Sequence, residues 1–337
     1  MHLRGFTAPL GADRLARFDK TTGLIDHPSV SRAAKINDYY TMPAETGHPP
    51  DALEDNFAEG ERIVAPWIRH LRAVDRPGRI SLDAVARDGL AGYLAMLYVR
   101  SPVFREPNKK MATFLESIRI DMLLANPDVY AARVRQNGHH GTDAEIEAER
   151  QLELHRFRSG EIFVEAPEQW SLVHLKSALD QIRPVLVDMH WTLVRRESSP
   201  FLVLGDQAVT LLGPNGELGD IGFASADVDV LVPLSASCLL MMTNEPHRGG
   251  IDVIAPDGRG QAGLGSRWWH LANSAAWRTS ARFVFARSAA DLQGTELSLD
   301  PTDRRSTLPG PSYRGGDPAW AAYAERIGIR TISDDDL

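Results

Sequence analysis

Pro200-Phe-Leu-Val-Leu-Gly-Asp-Gln-Ala-Val-Thr-Leu-Leu-Gly213, continuing through Pro214-Asn-Gly216 and a loop into Asp227-Val-Asp-Val-Leu-Val-Pro-Leu234, is the stretch whose reading decides the fold. Phe201 to Leu204 and Val209 to Leu212 are apolar runs too short for helices and rich in β-favouring residues. They predict two strands that pair in a sheet. Asn215-Gly216 supplies the positive φ that a tight turn needs. Val228, Val230 and Val232 alternate with Asp227, Asp229 and Leu231, the period-two pattern of a strand with one wet face. Asp206 stands after a glycine inside otherwise apolar chain, where a carboxylate is costly unless paired or hydrogen-bonded. It reads either as a turn residue accepting N–H bonds from residues just after it, such as Ala208 or Val209, or as a functional acid.

Outward from that stretch the periodicity changes. On the N-terminal side, Asp51-Ala-Leu-Glu54 has the spacing of a capping box, and Leu53, Phe57, Val64, Trp67/Ile68 and Leu71 recur at helical spacing. Further helices are predicted after Ser81 (Leu82, Val85, Leu90, Tyr93, Leu94, Leu97), ended by Arg100-Ser-Pro102, and from Pro107 to Ala125 (Met111, Phe114/Leu115, Ile118, Met122). Asp143 to Arg158 is a charged, solvated helix, and Glu168 to Ile182 another, with Pro184 at its end. Met189 to Val194, Cys238 to Met242 and Arg282 to Ala286 read as strands, Ser266 to Ser280 as a helix, and Gly249 to Gly265 as a loop. Met1 to Tyr40 reads as extended segments that join the sheet. The expectation is an α+β protein: one domain over 1–290, with a helical layer at about 50–183 packed on a mainly antiparallel sheet at about 189–286. A C-terminal extension, 291–337, carries a short helix at Pro318 to Ile327 and the acidic end Asp334-Asp-Asp336.

Composition narrows the classes. With 45 acidic and 37 basic residues the net charge is −8, so no global field draws in nucleic acid or anionic membrane. No apolar run approaches membrane-spanning length. The single cysteine, Cys238, lies in an apolar run and has no internal disulfide partner, which favours a reducing, cytoplasmic setting.

Glu54, Glu61 and Asp206, with Arg100 and Arg105, form the polar constellation of the chain. Carboxylates hold a divalent metal or act as general bases, and arginines clamp phosphates or carboxylates bidentately. The same residues also fit a structural account in which the arginines pair with the glutamates. Other signals are weaker. Gly258-Arg-Gly-Gln-Ala-Gly263 has dinucleotide spacing, but Pro256-Asp257 separates it from Ile251-Asp-Val-Ile254 and no parallel βαβ pattern surrounds it. His139-His140 has no ligands at recognisable metal spacing, no Gly-x-Ser-x-Gly elbow occurs, and Trp268-Trp269 reads as core and rim.

The order of several short motifs resembles a widespread bacterial family classed as a domain of unknown function. Its members open with His-His-x-Val-Pro-x-x-Tyr-Leu-x-x-Phe. The matching pieces here are His2-Leu-Arg-Gly-Phe6, Leu53-Glu54 with Glu61, Arg100-Ser-Pro-Val-Phe-Arg105, Pro200-Phe201 with Asp206 and Val209, Val232-Pro-Leu-Ser235, and Asn273 with Ala281-Arg-Phe-Val284. The chain begins inside the opening motif; if the missing histidines matter to activity, either that activity is lacking or a late start codon removed them. The family's Asp-Asn-Pro-Val is Asp206-Gln-Ala-Val209 here, without the proline. The resemblance implies a fold neighbourhood and no activity.

Two function classes follow. One is a carboxylate-based hydrolase acting on an anionic, phosphodiester-like substrate, a nuclease for example. Glu54, Glu61, Asp206 and Arg100 would be its catalytic groups, Arg100 and Arg105 would hold the substrate, and a divalent metal is possible. The other is a non-catalytic module that binds a protein or a small anionic ligand.

Overall fold

In the computed structural model the described residues are 2–7, 13–33, 49, 51–166, 175–214, 216–218, 221–246, 249–255 and 264–296. The expectations for Asn215, the first part of the 168–182 helix, Gly258 to Gly263, the 318–327 helix and the acidic end lie outside them. The chain divides into two compact units, Met1–Arg105 with Leu172–Leu308 and Glu106–Ser171 with Pro309–Leu337.

The fold is α+β. The first unit is built on a six-stranded mixed sheet. Its strands are β3 (Gly78–Ile80), β4 (Met189–Arg195), β6 (Thr210–Leu212), β7 (Asp229–Ser235), β8 (Cys238–Pro246) and β9 (Ile251–Ile254), in the order β3-β9-β4-β8-β7-β6. Every pairing is antiparallel except β4 with β9, which run parallel. A second, antiparallel sheet joins β1 (Ala16–Asp19), β2 (Leu24–Asp26), β5 (Leu204–Gly205) and β10 (Phe283–Ala286) in the order β2-β1-β10-β5. The N-terminal segment therefore pairs with the far end of the chain. The two apolar runs around Asp206 do not pair with each other: β5 bonds to β10 and β6 to β7, because the chain crosses from one sheet to the other at Asp206 to Val209.

On one face of the six-stranded sheet lie α2 (Ala52–Ala73), α3 (Ala84–Val99) and a later helix, α7 (Leu175–Asp188). Phe57, Val64, Ile68 and Leu71 from α2 and Leu90, Tyr93 and Leu94 from α3 meet Trp191, Leu193, Val230, Val232, Leu240 and Met242. Gly89 lets α3 approach α2, since a Cβ there would stand 2.5 Å from the Trp67 ring. Asp51 precedes α2 but makes no side-chain cap bond, so the capping box predicted there does not form. Val85 is 72% exposed, off the buried stripe of α3.

The other face of the sheet is covered as well. Val194, Leu231, Leu239 and Met241 pack against Trp269, Ala272 and Ala275 of α8 (Leu264–Thr279) and against Phe285. The predicted wet face of β7 is thus dry: Leu231 is fully buried, and Asp229 half-buried. Asn273 fixes α8 to the stretch before β5, donating to the Phe201 carbonyl (3.1 Å) and accepting from the Val203 N–H (2.9 Å). The predicted 249–265 loop contains β9, which lies between β3 and β4. Glycine-rich flanks hid a four-residue strand whose Ile251 and Val253 are buried. The helix predicted to stop at Pro184 runs on to Asp188 and passes straight into β4. A short α9 (Ala289–Glu296) follows β10.

The second unit holds most of α4 (Pro102–Ala125), with α5 (Pro127–Gln136) and α6 (Asp143–Arg158); a single turn, α1 (Val30–Ala33), belongs to the first unit. Leu124, Tyr130, Ile146 and Phe157 form the second unit's own small core. Thr142 and Glu145 make a complete capping box at the start of α6. Leu115 and Met122, expected to face inward, are 56% and 69% exposed.

Candidate functional site

Asp206 sits where β5 ends. Its carboxylate accepts three backbone N–H bonds, from Ala281 (2.9 Å), Arg282 (2.7 Å) and Phe283 (3.0 Å). These amides form the turn from α8 into β10, far along the chain, and not the residues just after Asp206 as the sequence suggested. That local place is filled by Gln207, whose amide donates to the Val209 carbonyl at 2.8 Å. Lys20 closes the same corner by donating to the carbonyls of Trp277 (2.9 Å) and Ser280 (2.7 Å) at the end of α8. Burial pushes the Asp206 carboxyl above its ordinary value, against the pull of the three amides and Lys20.

Glu61 and Arg100 come together, Oε1 to Nη1 at 3.1 Å, each about a quarter exposed. The Arg100 guanidinium lies 4.6 Å over the Phe57 ring. Tyr93 is beside them, its hydroxyl pushed well above the usual range by burial and by the Glu61 charge. Behind it, His2 Nε2 is 2.8 Å from the Pro233 carbonyl and Nδ1 is 3.5 Å from the Tyr93 hydroxyl. Arg72 donates to the carbonyls of Leu234 (2.8 Å) and His2 (3.1 Å), clamping the N-terminal turn to β7. Glu54, seven residues and about 10 Å of helix from Glu61, is exposed and makes no ion pair among the described residues. Arg105 is buried, one turn beyond Ser101, whose carbonyl takes its N–H at 3.1 Å. Of the five expected residues, the structure joins Glu61 and Arg100 and sets Asp206 in a different corner.

A second polar group was missed. On the α8 side of the sheet, His190 of β4 is directly opposite Thr243 of β8, and Thr243 is opposite Asp229 of β7. Directly opposed side chains on one face stand about 5 Å apart at Cβ. His190 Nε2 is 3.1 Å from Asp252 Oδ2 on β9. His190 Nδ1 and Thr243 Oγ1 are both buried without a hydrogen-bond partner. Burial raises the Asp229 carboxyl, while a hydrogen bond from Trp268 and the charge of Arg267 oppose the rise. Arg79 approaches Asp252 at 3.8 Å. The sequence signal was present but small: Asp252 alternates with Ile251 and Val253, and His190 with Met189 and Trp191, so both belong on one face once β9 is read as a strand.

Among the described residues no three His, Cys, Asp or Glu side chains converge as a metal site. No described helix is long and apolar enough to cross a membrane. Fold and site together define an α+β chain with a mixed sheet covered on both faces and a carboxylate-oriented histidine within it. The chain belongs to the DUF4238 family of proteins of unknown function, whose family model matches residues 1–290. Comparison with curated proteins and with solved structures found no match.

Proposed function

We propose that the chain is an acid–base hydrolase whose base is His190. One observation carries this reading: Asp252 holds His190 Nε2 at 3.1 Å while Nδ1 is buried without a partner, on a residue paired across the strands with Thr243, whose Oγ1 is unpartnered too. A carboxylate at that distance keeps the proton on Nε2, which leaves Nδ1 as a lone pair, the state a general base needs. His190 Nδ1 takes the proton of an attacking water positioned by Thr243 Oγ1, and the water oxygen bonds to the substrate phosphorus. The proton then passes from Nδ1 to the departing oxygen, and Asp252 stabilises the imidazolium in between. Arg79, nearly half exposed beside Asp252, gives the site a positive rim suited to an anionic, phosphodiester-like substrate. A cytoplasmic setting goes with it, supported by the free, buried thiol of Cys238.

Hydrolysis of bis(p-nitrophenyl) phosphate tests the reading. His190→Gln should lower kcat by about 100-fold or more, the usual weight of a general base. Asp252→Asn should shift the pH profile as well as the rate. Absence of turnover, or turnover indifferent to His190→Gln, would sink it.

A second reading keeps the function at Glu61 and Arg100, favoured by their contact beside Tyr93 and over Phe57. There Arg100 would hold an anionic ligand in exchange for Glu61. Arg100→Gln would then abolish ligand binding while His190→Gln leaves it intact.

A further inference from the structure

Strands β4 and β9 run parallel, and their C-terminal ends open onto a cavity of about 260 Å³. Arg195 and Arg196 from the end of β4, Arg76 from the connection before β3, and Ile254 from β9 line it, as do Asp75 and Glu197. Three arginines and two acidic residues line it, with Asp75, Arg76 and Glu197 exposed. The Arg195 guanidinium is held in place by the Arg72 carbonyl at 2.9 Å. Arg196 Nε is buried and has no hydrogen-bond partner. That nitrogen is shielded from the cavity, so an oxyanion there would meet the outer nitrogens of the Arg196 guanidinium, where charge-assisted hydrogen bonds are the strong kind.

We infer that this cavity is a binding site for a small oxyanion, a phosphate or carboxylate group, held by Arg196 with Arg195 and Arg76. At about 260 Å³ it falls just under the range of about 300–1,000 Å³ that drug-sized ligands fill, so it suits a group and not a nucleotide. The site lies at the opposite end of β4 from His190, five residues along the strand, and stands whether or not His190 is a base.

The test is calorimetry on the full chain with inorganic phosphate, glycerol 2-phosphate and malonate at matched ionic strength. Saturable binding with Kd of about 1 mM or tighter is expected. The phosphate and malonate arms decide between phosphate and carboxylate as the group held. Arg196→Gln should weaken binding about tenfold or more, the weight of one charge-assisted hydrogen bond. Arg76→Gln, at an exposed position that does not hold the fold, should weaken it less. Arg62→Gln, elsewhere on α2, should leave it unchanged. No saturable binding of any of the three, or binding by the Arg196→Gln variant as tight as by the unaltered chain, overturns the inference.

Discussion

Asp206 shows how a carboxylate that reads as catalytic becomes a strut. Both oxygens are occupied by amides from Ala281 to Phe283, so replacing it by alanine strands three N–H groups at a partly buried turn. Asp206→Ala should cost about 3 kcal/mol in urea unfolding, and Asp206→Asn, which keeps one acceptor oxygen, about 1 kcal/mol. Equal costs for the two would mean that the side chain's bulk matters and its hydrogen bonds do not. His2 gives a pH prediction. Burial, then the Arg72 charge, lower it from 6.5 to about 3, so it is neutral in the fold and takes a proton on unfolding below about 6.5. Between those values the unfolded chain binds more protons, and stability falls as pH falls, by about 4–5 kcal/mol at full extent. His2→Gln keeps a donor for the Pro233 carbonyl and cannot be protonated, so its acid limb should be shallower; parallel limbs would exclude His2 as the cause. At this scale the sequence showed Glu61 and Arg100 plainly, since helical spacing and a pre-proline stop placed them. It could not show Asp206's donors or the His190–Asp252 pair, because both depend on partners more than 60 residues away.

Elements were legible where one face was apolar and hidden where both were. The stripe of α2 and the alternation in β7 predict the right element types, yet the alternation also predicts a wet face for β7, because nothing local announces that α8 will cover Leu231. Strand β9 is four residues between glycine-rich segments, and only its pairing with β3 and β4 makes it a strand. The passage from α7 to β4 is the sharpest case. A helix ending at Asp188 next to a strand starting at Met189 leaves terminal carbonyls without helical donors. Arg87 supplies them, donating to Val187 at 2.7 Å and to Met189, with its guanidinium 4.6 Å over the Trp191 ring. Arg87→Met keeps much of the stem and removes the donors, so it should cost about 3 kcal/mol, read as a lower urea midpoint. Arg87→Lys should recover only part, because an ammonium cannot span two carbonyls in a planar fork. Full recovery by lysine would reduce Arg87 to a buried charge with no special geometry.

Among the described residues the two units carry cores of very different size. The sheet unit buries residues on both faces of six strands, whereas the helical unit from Glu106 rests on Leu124, Tyr130, Ile146 and Phe157. Its helices are otherwise tied at the edges: Tyr130 donates to Glu153 at 3.0 Å, Arg150 is held by Glu147 at 2.7 Å and donates to the Leu124 carbonyl, and the Ala166 N–H reaches Thr113 Oγ1 at 2.9 Å. Stability scales with the apolar area withdrawn from water, and four buried side chains with six partly buried ones against them withdraw far less of it than the sheet unit does. The two units should therefore not melt together, and a single unfolding free energy should not describe the chain. Hydrogen exchange followed by mass spectrometry across a urea series should show peptides from 106–166 losing protection first, with peptides from β4, β7 and β8 retained to higher urea. Phe157→Ala, worth about 3–5 kcal/mol at a buried site, should lower the first transition and leave the second where it was. If both sets of peptides moved together in that variant, the helical unit would be an energetic part of the sheet unit, and the two cores would count as one.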